Sequence, residues 1–255
     1  MGNAHGASER DPDRLLAAVL AAPHDLAPRR AYARAVRANE PERAALIDHQ
    51  LAIREARRAG LTPSEHDLSE ARTLIRRFGD RWCGPVLQIA DDATYWGGFV
   101  EEVRVTASRL NQVAALMRDA APVRMLTVTK LRGHLQALLD EPRFAQLVAL
   151  DVGENGLSDA DVAALADAPA LRGLVVLRIA GNLDCGYPAL RALARLPALR
   201  FVDADDTRTP LRLSTLDAVS GEVTLDYTAA QGVMEAELGP LPWIEALTRP
   251  SNHAL

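Results

Sequence analysis

Lysine is nearly missing from this chain of 255 residues: Lys130 is the lone lysine among 29 basic side chains, and the rest are arginine. Cysteine is scarce as well, with Cys83 and Cys185 about a hundred residues apart. No CxxC pair, no cysteine–histidine cluster and no even-numbered framework of short spacings exists, so a zinc module or a disulfide scaffold is not expected. Both cysteines are predicted to be reduced, buried thiols. His5, His24, His49, His66, His134 and His253 form no HExxH pattern and no i,i+4 pair, so no metal site is expected. P-loop, GxGxxG and GxSxG signatures are missing, and no cofactor is expected.

No apolar run reaches the roughly 18–20 residues that span a bilayer. The opening MGNAHGASERDPD is polar and lacks the apolar core of a secretory signal, and Gly6 occupies the place where a myristoylation motif needs Ser or Thr. The expected location is cytoplasmic. A net charge of −5 and a pI near 5.7 offer no field for nucleic acid or an anionic membrane surface. What remains is an ordinary globular composition, 48% hydrophobic and 25% charged, long enough for one large or two modest domains.

The first part of the chain has helical periodicity. Asp11-Pro12 reads as an N-cap with proline at N1, and the stripe Leu15, Leu16, Val19, Leu20 runs until Pro23. A second helix is predicted from Pro28 to Val36 and a third from Pro41 to Arg58, with Gly60 past its end. Thr62-Pro63-Ser64-Glu65 resembles a capping box for a fourth helix, whose apolar positions Leu68, Ala71, Leu74, Ile75 and Phe78 continue to Gly79. This periodicity builds a core and exposes no site. Gly84-Pro85 and Gly97-Gly98 read as turns.

From about Val100 the period changes. LVALDVGENGL, Leu147 to Leu157, fits L-x-x-L-x-L-x-x-N-x-L at every position, with Leu147, Leu150, Val152, Asn155 and Leu157 in the defined places. Leu174, Leu177, Ile179 and Asn182 make a second close copy. Looser copies carry Ser108, Leu131, Thr207 and Thr228 in the asparagine slot. The fourth positions are 103, 126, 150, 177, 202 and 223, a spacing of 21 to 27 residues, as in leucine-rich repeats of about 20–29. Helical segments are predicted between the strands over Leu110–Asp119, Leu131–Asp140, Ser158–Ala166 and Pro188–Leu196.

This predicts an α/β fold: a small N-terminal helical domain, then a short leucine-rich-repeat solenoid with parallel strands on its concave face and helices on its convex face. The expected divisions are a disordered tail over 1–10, helices over 11–80, a junction over 81–99, the solenoid over 100–228 and a C-terminal cap or tail over 229–255. The slot amides have a physical reason. Where the chain turns inward behind each strand, neighbouring coils bury backbone groups that cost about 1–3 kcal/mol each if unmet. An amide both donates and accepts, so Asn155 and Asn182 are expected to form a structural ladder.

The Asp13–Ile53 stretch resembles the repeat-companion domain, a helical module that precedes repeat arrays in myxobacterial and planctomycete proteins. Leu15-Leu16-Ala17-Ala18, Pro23, Asp25, Pro28-Arg29, Tyr32-Ala33, Arg43 and Gln50 stand in its register. Its usual Asp-Trp is replaced by Arg34-Ala35, which predicts a repacked core, and its Gly-Asp turn by Asn39-Glu40. Trp82-Cys83-Gly84-Pro85 and Trp96-Gly97-Gly98-Phe99-Val100 are similar to the family's passage into its first strand. The resemblance covers about residues 13–207 and implies no catalytic activity.

On that frame, positions 1, 4 and 6 of each copy are expected to point inward and positions 2, 3, 5 and 7 to be available on the concave sheet. Position 5 holds Arg104, Thr127, Asp151, Arg178, Asp203 and Thr224; position 3 holds Glu102, Met125, Ala149, Val176, Phe201 and Glu222. An apolar middle with a charged rim suits a protein partner. The competing reading is a row of lateral surface ion pairs worth about 0–1 kcal/mol each. The expected function is a non-enzymatic scaffold binding a protein through Glu102, Arg104, Met125, Thr127, Asp151, Val176, Arg178, Phe201 and Asp203. An accessory subunit that presents substrate to a larger enzyme is the alternative. A cysteine-dependent enzyme is a third class, disfavoured because Cys83 lies in RWCGPV without a nearby histidine. The segment 229–247, with Val233, Met234, Leu238, Leu241, Trp243, Ile244 and Leu247, reads as a cap, or else as a partner-docking tail.

Overall fold

The computed structural model describes residues 11–205, 207–208, 214–216 and 223–224. The expected tail over 1–10, the cap over 229–255, Glu222 and the slot residue Thr228 lie outside the described residues. The chain forms two compact units: residues up to 104 together with 111–124, and residues 105–110 together with those from 125 on. The fold is mixed α/β. No described helix is long and apolar enough to cross a membrane.

In the first unit, α1 (Pro12–Ala21), α2 (Ala27–Val36) and α3 (Pro41–Arg58) start where the prolines set N1 or N2. The Asp11 carboxylate accepts from the Asp13 N–H and caps α1; Asp25 does the same for the Ala27 N–H ahead of α2. Helix α3 ends in a Schellman motif: Gly60, at φ +69°, donates its N–H to Arg57 O, and Leu61 donates to Ala56 O. Val19, Leu26, Ala33, Val36, Ala44, Ile47, Leu51 and Phe99 form the core, with Leu16 and Tyr32 against it.

Helix α4 (Glu65–Leu87) differs from expectation at both ends. Ser64 is its N-cap, without a side-chain hydrogen bond, so the Thr62 capping box does not form. The helix also runs through Gly79. Tyr95 donates its hydroxyl to Gly79 O at 2.8 Å. The Gly84-Pro85 pair kinks this helix at Gly84 rather than ending it in a turn.

The hairpin that follows was not legible as such. Strand β1 (Asp92–Trp96) pairs antiparallel with β2 (Phe99–Thr106), with a bulge at Thr94/Tyr95. Gly97 and Gly98 make the turn at φ +51° and +82°. After a short 3-10 turn, α5 covers Leu110–Asp119.

In the second unit, β3 (Met125–Thr129), β4 (Ala149–Asp151), β5 (Val176–Arg178) and β6 (Phe201–Asp203) are parallel. Cα partners run Met125–Ala149–Val176–Phe201 and Thr127–Asp151–Arg178–Asp203. Between the strands lie α6 (Leu135–Leu139), α7 (Asp159–Asp167) and α8 (Tyr187–Leu193). Ser158 and Asp161 form a reciprocal capping box at α7. Helix α6 is half the expected length, because it starts only after a turn in which Gly133 adopts φ +81°; a 3-10 turn over Pro142–Gln146 follows it.

The parallel progression ends at β6. Strand β7 (Ser214–Leu216) is antiparallel to β6, and β8 (Val223–Thr224) is antiparallel to β7. The sixth repeat copy, expected as another parallel strand at Val223, therefore does not continue the series. Its Val-x-Leu pattern suits a strand of either direction, and nothing in an alternating pattern encodes direction.

Candidate functional site

Three strands contribute one side chain each to a clamp. Arg178 on β5 donates from Nη1 to both Asp151 oxygens at 3.2 Å, and from Nε to Asp203 Oδ2 at 3.0 Å. The register makes this unavoidable, since Asp151, Arg178 and Asp203 are directly paired neighbours about 4.8 Å apart in the hydrogen-bonding direction. Each carboxylate is held a second time. The Gly153 N–H donates to Asp151 Oδ1 at 2.8 Å, and the Asp205 N–H to Asp203 Oδ1 at 3.3 Å. Burial pushes the Asp203 carboxyl above its ordinary range, against the opposing pull of the Asp205 N–H and Arg178. The two carboxylates push the Arg178 guanidinium up and outweigh its desolvation.

The expected outward-facing surface is corrected by burial. Met125, Thr127, Asp151, Val176, Phe201, Asp203 and, in the first unit, Glu102 are all buried. Arg178 is half-buried and Arg104 is exposed. Alternation correctly places positions 3 and 5 on the face opposite positions 4 and 6, but both faces are dry here, as in any fully covered parallel sheet. Nor are the ion pairs the exposed decoration of the competing reading. The Asp203 side chain is 1% exposed and that of Asp151 is 5%, so the clamp belongs to the class in which loss of one partner is costly.

Asn155 and Asn182 sit behind the strands and are saturated. Asn155 Oδ1 accepts from the Leu131 N–H at 2.8 Å, while its Nδ2 donates to Val128 O and Gly153 O. Asn182 Oδ1 accepts from the N–H groups of Asn155 and Leu157, and its Nδ2 donates to Val152 O and Ile179 O. The amide of each copy thus closes the turn of the preceding one. Next to this ladder, buried Cys185 directs its thiol at Leu157 O, and burial pushes that thiol up to about 11. Cys83 is also buried, and burial again raises its thiol. Both shifts favour the protonated thiol. Among the described residues, no three His, Cys, Asp or Glu side chains are grouped to hold a metal ion.

The helical unit holds a charged interior that periodicity could not reveal. Glu101, fully buried, lies 2.7 Å from Arg29 Nη1, and Arg124 donates to its Oε2 from Nε at 2.6 Å. Arg29 also donates to the carbonyls of Pro23, Trp96 and Gly97. Arg54 is buried in the same field, beside Arg124, Glu101 and Arg29. Arg43 packs over the rings of Trp82, Tyr95 and Phe99 at 5.0 to 5.7 Å. Gln50 accepts from the Gly98 N–H at 2.6 Å and donates to Tyr95 O at 3.0 Å, clamping the hairpin turn. Arg29, Arg43 and Gln50 are letters of the motif on which the family resemblance rests, and each has a structural task here. The only sequence signal for the cluster was the presence of arginine and glutamine at positions where helical spacing calls for apolar side chains.

Four large apolar side chains that the sequence reading passed over stand in water among the described residues: Leu61 and Leu87 in the helical unit, and Leu183 and Tyr187 in the second unit. Leu183 is 70% exposed and Tyr187 is 61% exposed, on the loop between β5 and α8 and at the first residue of α8. No family model matches the chain, and no match was found among curated proteins or solved structures.

Proposed function

We propose that this chain is a non-enzymatic, protein-binding scaffold, built as a repeat-companion module followed by a short leucine-rich-repeat solenoid. The repeat period, the parallel register of β3 to β6 and the amide ladder support the solenoid reading. The observation that carries the binding role is the exposure of Leu183 and Tyr187 beside a sheet that has no other use for them. Large apolar and aromatic side chains left in water on a rigid repeat are the ordinary anchors of a protein interface. Because most of the expected concave-face residues are buried, the contact surface is better drawn around Leu183 and Tyr187.

The test is affinity capture from the source organism with mass spectrometry, comparing the wild-type chain with a Leu183→Asp/Tyr187→Ala double variant. Both substitutions are at exposed positions, so the melting temperature should stay within a few degrees. The proposal requires that specific captured proteins be lost with the variant. The same set captured by both baits refutes this surface. A catalytic subunit among the specific proteins would turn the reading toward an accessory subunit.

A further inference from the structure

We propose that the arginine cluster of the helical unit is a binding site for a small dianionic oxyanion of the sulfate or phosphate class, entered beside His24. The charge count comes first. Arg29, Arg54 and Arg124 are buried around a single carboxylate, Glu101. Three guanidinium groups less one carboxylate leave two positive charges inside the protein. Glu101 is already taken by Arg29 and Arg124, and among the described residues Arg54 forms no ion pair of its own: Arg124, Arg58 and Arg29 repel it, against the attraction of Glu101. Desolvation and Arg124 lower Arg54 to about 10, which still leaves it charged at neutral pH. Buried charge of one sign needs an opposite charge or hydrogen bonds to every donor, and the described residues supply neither in full.

The donors identify where the ligand would sit. Arg54 is 3% exposed, and among the described residues its Nε and Nη1 have no acceptor. Arg124 spends Nε and Nη2 on Glu101, and its Nη1 has a single long approach, 3.4 Å to His24 Nδ1. His24 is the exposed member of the group and so gives the way in. Accepting at Nδ1 puts the proton of the neutral ring on Nε2, which adds a donor at the mouth. A dianion matches the two surplus charges, and sulfate or phosphate oxygens match charge-assisted donation from guanidinium groups. The buried setting favours an ion of this size over a peptide.

The site also carries a pH signature. The groups facing His24 are Arg124, Glu101, Arg54 and Arg29; burial and Arg124 hold its imidazolium below the usual range. A bound dianion reverses that field, so occupancy draws a proton onto His24, and affinity rises as pH falls.

Sodium sulfate is the probe because it stays dianionic across the working range. The full chain is titrated calorimetrically at pH 7.5 and 6.0 against sodium chloride of equal ionic strength. Saturable binding of one sulfate, tighter at the lower pH, is expected. Arg54→Met should weaken it at least about tenfold, the equivalent of one charge-assisted hydrogen bond. His24→Ala, a surface change, should remove the pH dependence. General stabilisation by sulfate does not saturate and persists in both variants, so it is not confused with the site. Failure of the folded wild type to bind sulfate saturably overturns the proposal, as does unchanged affinity in Arg54→Met. Should Arg54→Met not fold, an unaltered affinity and pH slope in His24→Ala overturns it instead. Parallel titrations with inorganic phosphate and a phosphate monoester separate a free ion, where only the former binds, from a phosphorylated metabolite, where both do.

Discussion

At the scale of single residues, the most constrained side chain is Asn182, which makes four hydrogen bonds to main-chain groups of its own and the preceding copy. Asn182→Ala strands two buried N–H groups and two carbonyls at once. A loss of at least about 3 kcal/mol is expected in urea unfolding. Arg178→Leu should cost a similar amount, about 3–5 kcal/mol, because it leaves two buried carboxylates facing each other without a cation. Arg178→Glu adds a third carboxylate to that clamp, and Phe201→Glu buries an unpaired charge, so both act on folding before they act on any partner. Asp203 adds a pH signature. Its folded-state carboxyl is raised above the ordinary 3.8, so the native protein holds this proton more tightly than the unfolded chain. The associated stability is full below about pH 4 and is lost as pH rises through the raised value. The stability gap between wild type and Asp203→Asn should therefore narrow from about pH 4 upward, as read from paired urea midpoints.

At the scale of elements, the sharpest steric requirement is the β1–β2 turn. Gly98 has φ +82°, and a Cβ there would come 2.0 Å from Ile47 Cγ1. Gly98→Ala should lower stability by about 2–4 kcal/mol, through strain and displacement of α3, and this can be checked by thermal unfolding. Element by element, legibility follows the strength of local rules. Helix α3 was read to the residue because Pro41 fixes its start and Gly60 its stop, both by backbone sterics. Helix α7 was placed by its capping residues. Helix α4 ran past Gly79 because glycine ends a helix only when nothing else holds that turn, and Tyr95, distant in sequence, holds it. The directions of β7 and β8 were lost because pairing partners are not a local property.

At the scale of the whole molecule, each compact unit encloses one thiol, Cys83 in the first and Cys185 in the second. Labelling by a thiol reagent should be slowed at least about a thousandfold relative to the unfolded chain at both sites, since it requires opening of a buried core. Rapid labelling of either in native buffer would contradict the packing described here. In rising urea, the two labelling midpoints read the stability of each unit separately, which a single optical transition does not.

The sequence by itself determined the period: the start of α3, the spacing of 24 to 27 residues between fourth positions from β3 to β6, which residues pair across those strands, and that Asn155 and Asn182 serve the backbone. These follow from side-chain spacing, capping chemistry and the unmet groups of a turning chain, all of which act within one repeat or between neighbours. Only the tertiary structure decided which faces are wet. An alternating pattern says that two faces differ, and it cannot say whether the second is covered. Thus Asp151, expected to face a partner, lies buried against Arg178, while His24 and Arg54, a whole helix apart in sequence, meet around Glu101. Burial depends on what the rest of the chain brings alongside, and that information is held in no single stretch of it.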